Sequence, residues 1–201
     1  MKKGIIILLT GLLFATAGLQ SQDLQARLDE AESSYNSGDL ENARFALQEA
    51  LNEINKAIGN DILAILPDEL GGIPKVENSD NVTGTNMGFA GLYVNRDFQA
   101  EGKDANFQII SDSPLLSSIS SMLSLSVFMA ADPNQKRIKV DGYKALMTRS
   151  ENEDGSTYSW DVSLPFGDSM ITLQCHGIED GKTVEKIMND IPVARIIEIA
   201  K

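Results

Sequence analysis

Apolar residues between positions 22 and 60 recur at the spacing of an α-helix. Two segments each place such residues three and four positions apart, which is one face of a helix. The first set is Leu24, Leu28, Ala31 and Tyr35, and the second is Ala43, Leu47, Ala50, Ile54 and Ile58. Gly38 favours the end of the first helix, and Asp39 is placed to cap the second. The pattern therefore predicts an αα-hairpin of two antiparallel helices.

Beyond residue 60 the pattern changes to the two-residue alternation of β-strands. Strands are expected over 88–98, 106–111, 137–148, 158–164 and 171–175, with the third strand bent at Asp141-Gly142. Asp154-Gly155 predicts a hairpin turn, and residues 66–72 a short helical turn in the junction over 58–72. Helices are expected over 114–130, over 183–191 with Thr183 as its cap, and over 193–200.

This order of elements predicts the α+β class, in which helices pack on an antiparallel sheet and an N-terminal hairpin precedes them. The predicted organisation is a leader over residues 1–21, the hairpin over 22–60 and an α+β sandwich domain over 61–201.

The first 21 residues have the pattern of a secretory leader of bacterial style. Lys2 and Lys3 precede an uncharged apolar run over 4–14, and Ala15-Thr16-Ala17 supplies small residues. We expect cleavage after Ala17 or after Ser21, and an uncleaved membrane anchor is the alternative. The run is shorter than the about 20 apolar residues of a spanning helix. The leader predicts an exported protein, periplasmic or secreted, without stable membrane insertion after cleavage.

Small and large residues follow a fixed order along the hairpin: Ala31, Tyr35, Gly38-Asp39-Leu40, Ala43, Leu47 and Ala50-Leu51. With these residues the segment resembles a single tetratricopeptide repeat. It departs from that pattern at Arg27 and Glu30, where large apolar residues are usual, and at Asn55, where a closing proline is usual. Because one such repeat cannot bury its own apolar face, we expect the hairpin to pack on the downstream domain, on another subunit or on a partner.

A second resemblance rests on the strand Val140-Asp141-Gly142-Tyr143-Lys144-Ala145, on Leu66-Pro67 before the sheet and on the helical C-terminus. With this order of elements, residues 62–200 resemble the PsbP-like α/β/α sandwich of secreted bacterial proteins. Members of that group mostly act as accessory or binding proteins and not as enzymes. The resemblance therefore implies a role without catalysis.

Charge and residue content narrow the possible functions. The net charge of −12 argues against binding of nucleic acid, which requires neutralised phosphates. The chain has one histidine, His176, and one cysteine, Cys175. Because they are neighbours on a predicted strand, they point to opposite faces, with Cys175 in the core. One histidine and one cysteine are also too few for an ordinary zinc site. We therefore expect no catalytic residue, no cofactor and no metal.

Two surfaces are candidates for contacts. Phe45 lies about 160° around its helix from Leu47, and it packs on the chain's own domain, contacts a partner or is simply exposed. The expected helix over 114–130 has no charge and carries a face of Ser117, Ser121, Ser124 and Phe128. That face is covered by the hairpin, contacts another protein or a second copy, or lines a pocket for a small apolar ligand.

Together these patterns favour an exported, non-enzymatic envelope protein that acts as a protein-interaction or accessory module. Its partner would be an unknown envelope protein or a second copy of the chain. The alternative is a carrier of a small apolar ligand held between sheet and helices.

Overall fold

The structure is a computed structural model that describes residues 15–84, 91–111, 134–151 and 158–201. The chain divides into two compact units, Met1–Ala57 and Ile58–Lys201. The helix expected over 114–130, with Ser117, Ser121, Ser124 and Phe128, lies outside the described residues. So does the turn expected at Asp154-Gly155.

The predicted hairpin is confirmed. Helix α1 spans Ala15–Ser37 and helix α2 spans Leu40–Ile65. Between them Gly38 adopts a φ of 82°, a left-handed conformation that suits glycine. The backbone N–H of Asn42 donates to Asp39 Oδ1 at 3.1 Å, so Asp39 caps α2 as predicted. The residues buried where the helices meet are small, which lets the two helices approach closely: Ala31, Ala43, Ala46 and Ala50.

Helix α2 is longer than the sequence predicts, because Gly59 does not end it. A Cβ at Gly59 would lie 2.4 Å from Val82 Cγ1, so glycine permits close packing of the helix on the sheet at this point. Ile62 and Leu63 continue the helical period and are buried in the core. The junction expected from residue 58 was therefore wrong for residues 58–65.

The helical turn expected over 66–72 was also wrong. This segment contains the start of a two-stranded hairpin, β1 (Glu69–Leu70) paired with β2 (Ile73–Pro74). Gly71 and Gly72 connect these strands with φ angles of 57° and 86°. Two successive residues with positive φ form the tight turn that suits the twist of a β-hairpin, which explains the Gly-Gly pair.

Seven antiparallel strands form the main sheet in the described part of the chain. They are β3 (Asn81–Gly84), β4 (Leu92–Ala100), β5 (Lys103–Ile110), β6 (Gln135–Val140), β7 (Tyr143–Glu151), β8 (Tyr158–Phe166) and β9 (Ser169–His176). Their order across the sheet is β3-β4-β5-β9-β8-β7-β6. The single bent strand expected over 137–148 was wrong. Asp141 and Gly142, with φ of 49° and 84°, form a tight turn that pairs Val140 with Tyr143 across two strands.

Two short helices follow the sheet, α3 (Gly181–Asn189) and α4 (Val193–Ile199). The cap of α3 is Asp180 and not the expected Thr183: Asp180 Oδ1 accepts from the Lys182 N–H, and the Thr183 hydroxyl donates to Asp180. A carboxylate before the first turn can accept both from this N–H and from the hydroxyl, whereas Thr183 itself lies within the first turn.

The core lies on one face of the main sheet. Alternate residues of β4, β5, β8 and β9 are buried there, as in the pattern from Trp160 to Phe166. The end of α2 and both C-terminal helices contribute the other apolar side chains of the same cluster, including Ile62, Val184 and Ile196. The α+β class predicted from the sequence is confirmed.

Candidate functional site

The large apolar side chains that stay exposed are concentrated in the hairpin. Among the described residues they are Leu28, Tyr35, Leu40, Phe45, Leu47, Leu51 and Ile54. Single exposed apolar residues are ordinary on protein surfaces, but a contiguous group indicates a contact. The main sheet with its helices contributes none to this set, although it is the larger unit.

Six of these side chains lie on one side of the hairpin and are called the hairpin stripe: Leu28, Tyr35, Leu40, Leu47, Leu51 and Ile54. The four in α2 fall within about 60° of arc, by the helical period. Around the axis of α2, these four lie about 80° from the buried alanines of that helix. Around the axis of α1, Leu28 and Tyr35 lie about 50° from Ala31, and both rotations run in the direction of increasing residue number. Because the helices are antiparallel, this places both sets on the same side of the hairpin.

The α2 part of the stripe has the spacing of a helix–helix seam. Leu47, Leu51 and Ile54 are four and three residues apart, and Leu40 stands one heptad before Leu47. Such alternating steps place side chains along one line, where they can insert between the side chains of another helix. Arg44 is the charged residue on this line, and it is exposed.

Of the predicted contact residues, the structure describes Phe45. Phe45 has 55% of its surface exposed, and by the helical period it faces away from the stripe. The other four, Ser117, Ser121, Ser124 and Phe128, lie outside the described residues. Sequence reasoning missed the stripe because it assigned Leu47 and Ile54 to one face with Ala43 and Ala50. The structure separates a buried alanine row from an exposed leucine row.

A cavity of about 280 Å³ lies between the sheet and the start of α3. Its wall combines three cationic side chains with apolar and polar ones: Asn134, Lys136, Met147, Arg149, Trp160, Asp180, Gly181 and Lys182. Arg149 and Trp160 are direct neighbours across β7 and β8. The register therefore brings together residues that are distant in the sequence.

Arg149 is only partly satisfied at this position. Its guanidinium carbon lies 3.8 Å from the centre of the Tyr158 ring, and its Nη2 lies 3.5 Å from Glu151 Oε1. Its Nε is buried and has no hydrogen-bond acceptor. Leaving a buried donor without an acceptor costs about 1–3 kcal/mol, so this donor needs an explanation.

Arg96 lies on the same face of the sheet, but all of its side-chain nitrogens have hydrogen-bond acceptors. Its Nε and Nη2 each donate to Asp80 at 2.6 Å, and its Nη1 donates to the Leu66 and Pro67 carbonyls at 3.1 and 3.4 Å. The hydrogen bonds that Asp80 accepts from Arg96 lower the pKa of its carboxyl group. Arg96 thus joins the end of α2 to the sheet, and all three of its side-chain nitrogens are engaged.

Cys175 and His176, the chain's single cysteine and single histidine, lie on opposite faces of β9. Cys175 is fully buried, and burial raises the pKa of its thiol to about 12, so it stays protonated. His176 is exposed on the opposite face, where its Nδ1 lies 2.7 Å from Asp104 Oδ1. Within the described ranges, no three His, Cys, Asp or Glu side chains are grouped to hold a metal ion. No helix in that part of the chain combines the length and apolar character needed to cross a membrane.

Comparisons of the chain with protein-family models, with curated proteins and with solved structures found no match. The resemblances to a tetratricopeptide repeat and to the PsbP-like sandwich stay predictions.

Proposed function

We propose that this chain is an exported envelope protein that acts without catalysis, as an interaction module whose hairpin stripe contacts another protein. The observation that carries the proposal is the concentration of exposed apolar side chains on one side of the hairpin. Their seam-like spacing favours a helical segment of the partner as the occupant, because helices bind through such rows of anchors.

The size of the stripe is compatible with an interface. Covering its six residues, which are about half exposed, would remove a few hundred Å² of surface from water, since fully burying a Leu or Ile side chain is worth roughly 1.5–3 kcal/mol at about 25 cal/mol per Å². A standard interface takes about 800 Å² from each partner. The stripe therefore supplies the apolar centre of an interface, and polar residues around it would supply the rim.

Export is the part of the proposal that rests on the leader alone. The chain purified from its native envelope should begin near Gly18 or Gln22, within or just after the first turns of α1. Intact-mass measurement tests this directly. A chain that retains Met1 in a membrane pellet would contradict it.

The test of the contact uses charge on the stripe. The double variant Leu47→Glu, Leu51→Glu should lose a partner captured from the native envelope by crosslinking, because burying a carboxylate in an apolar contact requires its desolvation. Phe45→Glu is the matched control, since Phe45 is equally exposed on the opposite side of the same helix. Circular dichroism checks that the helices remain.

The outcomes separate the possible contacts. Loss of the partner with the double variant and not with Phe45→Glu supports the stripe. Loss with Phe45→Glu alone would place the contact on the opposite side, as the sequence singled out Phe45, and would contradict the stripe. Sedimentation distinguishes a second copy of the chain from a different protein. A wild-type result from both variants would remove the support for an interaction module.

Carriage of a small apolar ligand is the alternative function. The cavity described above does lie between sheet and helix. Three of its lining side chains are cationic, however, and this favours a charged ligand over an apolar one. Native mass spectrometry of protein from the envelope tests the alternative, because a retained uncharged molecule would support it.

A further inference from the structure

We propose that the cavity between β7, β8 and α3 binds a small organic anion, a carboxylate attached to a flat apolar body. Arg149 holds the carboxylate, Lys182 contributes a second charge and Trp160 contacts the apolar body. The volume of about 280 Å³ limits the ligand to a small molecule. The lining of the cavity and the hairpin stripe have no residue in common, so this proposal does not depend on the proposed interaction.

The position of Arg149 in its strand is the first argument. Ala145 and Met147 point into the core from β7, and the two-residue period puts Arg149 on the same side. Packing alone calls for an apolar residue there. Its buried Nε donor has no acceptor, whereas each side-chain nitrogen of Arg96 donates to an oxygen on the same face of the sheet. The Arg149 side chain as a whole is 33% exposed, so a ligand carboxylate can reach its guanidinium group, whose fork matches a carboxylate.

Two of the three cations around the cavity are not held in close ion pairs, although the charge of Lys182 contributes to the lowered pKa of Asp180. Lys136 forms an ion pair with Glu185. Lys182 has no carboxylate within ion-pair distance in the described residues. The Glu151 contact to Arg149 is long, at 3.5 Å, and largely exposed, so it is weak.

Asp180 also lines the cavity, but its oxygens already accept from the Lys182 N–H at 3.2 Å and from Thr183 Oγ1 at 3.3 Å. The Lys182 N–H is thereby occupied, and the Thr183 and Val184 N–H groups donate to the Asp180 carbonyl. The ligand anion is held by side chains and not by the helix terminus.

The apolar wall is fixed in place. Trp160 Nε1 donates to the Ile178 carbonyl at 2.8 Å, which sets the orientation of the indole ring. A Cβ at Gly181 would lie 2.7 Å from Trp160 Cη2 and 3.2 Å from Met147 Cε. Glycine therefore lets α3 begin directly against this wall. A flat apolar group entering the cavity would meet an oriented ring beside a cation.

Trp160 is the chain's single tryptophan, so its fluorescence reports on the cavity without interference. The full chain is titrated with benzoate, with the uncharged analogue benzamide and with inorganic phosphate, and heats of binding are measured in parallel. We expect a saturable change with benzoate and none with benzamide. Saturable binding of phosphate with no response to benzoate would overturn the assignment to a carboxylate. The absence of any fluorescence change or heat of binding with all three probes would also overturn it.

Variants assign the binding to the cavity. Arg149→Met replaces the charged side chain with a long uncharged one and should lower the affinity for benzoate at least tenfold. Lys182→Met changes an exposed residue, so we expect this variant to fold as wild type. It should lower the affinity for benzoate about threefold. Lys139→Met is the matched control on the exposed side of β6 and should bind as wild type. Wild-type affinity in both cavity variants would overturn the proposal.

Discussion

The buried ion pair of Arg96 and Asp80 has unequal partners, and this inequality predicts an order of stabilities. The Arg96 side chain is 5% exposed and that of Asp80 is 39% exposed. Removing Asp80 leaves a buried guanidinium without its counter-ion. Removing Arg96 leaves a carboxylate that water can reach. We therefore expect Asp80→Ala to destabilise the fold more than Arg96→Met, although arginine is the larger side chain.

The magnitudes follow from the contacts. Breaking a fully buried pair costs about 3–5 kcal/mol, most of it from the charge that stays buried. Because water can approach the Asp80 side of this pair, we expect about 2–4 kcal/mol for Asp80→Ala. Arg96→Met also frees the Leu66 and Pro67 carbonyls but leaves no buried charge, and we expect about 1–2 kcal/mol. The double variant should cost less than the sum, with a coupling of about 1–3 kcal/mol.

Urea unfolding at neutral pH measures the free energies of unfolding of the wild type, the two single variants and the double variant. The transition is followed by Trp160 fluorescence and by circular dichroism. Equal slopes for the four proteins are required for the comparison, since a changed slope indicates a changed unfolded state. The reasoning is refuted if Arg96→Met is the more destabilising variant, or if the two single changes simply add.

Three further results are expected from the described contacts. Hydrogen bonds from Arg96 lower the pKa of Asp80, so the stability from this pair is present above the ordinary aspartate pKa of about 3.9. It is lost as pH falls through the lower pKa that Asp80 has in the folded protein. The free energies of unfolding of wild type and Asp80→Ala should therefore converge at that acid pH. Gly59→Ala should destabilise by about 1–2 kcal/mol, because its Cβ would overlap Val82, whereas the exposed Asn60→Ala should be near neutral in the same urea assay. Cys175, with its pKa raised to about 12, should resist a thiol reagent at pH 8 until urea unfolds the chain, and rapid labelling of the folded protein would contradict its burial.

Local signals were sufficient for much of the fold. The Gly38-Asp39 junction carries both a helix stop and a helix cap, and each forms the contact that its residue type favours. The alternation from Trp160 to Cys175 likewise determines which face of β8 and β9 is buried, because a strand has only two faces. In such places one element and its immediate neighbours decide the structure.

Glycine signals were less informative, because the same residue serves different purposes. Gly59 falls in the junction expected over 58–72, but it lies within α2 where the helix meets Val82. Gly142 was interpreted as a bend, but it completes a tight turn between two strands. A glycine that allows close packing and one that allows positive φ look the same in a sequence. The partner across the fold decides between them.

The candidate sites were missed for related reasons. The alanine and leucine rows of α2 lie only about 80° apart, so a single apolar face through Ala43 and Leu47 is a reasonable but wrong reading of the sequence. The cavity depends on strand register, which sets Arg149 beside Trp160. One signal was present in the sequence: Arg149 occupies a core-facing position of β7, two residues after Met147. This signal could be interpreted only once the neighbouring strand, which carries Trp160, is known.

The stripe and the cavity should respond differently to salt, because they use different forces. An apolar contact loses little when ions are added, whereas an exposed charge such as that of Lys182 is screened as the Debye length falls from about 10 Å at 0.1 M to about 3 Å at 1 M. Partner capture that persists at high salt therefore belongs to the stripe. Capture that disappears with salt would instead depend on the charges beside it, such as Arg44 and Glu41, and would leave the exposed leucines without a role. Benzoate binding should weaken with salt in wild type and change less in Lys182→Met, since that variant lacks the screened charge.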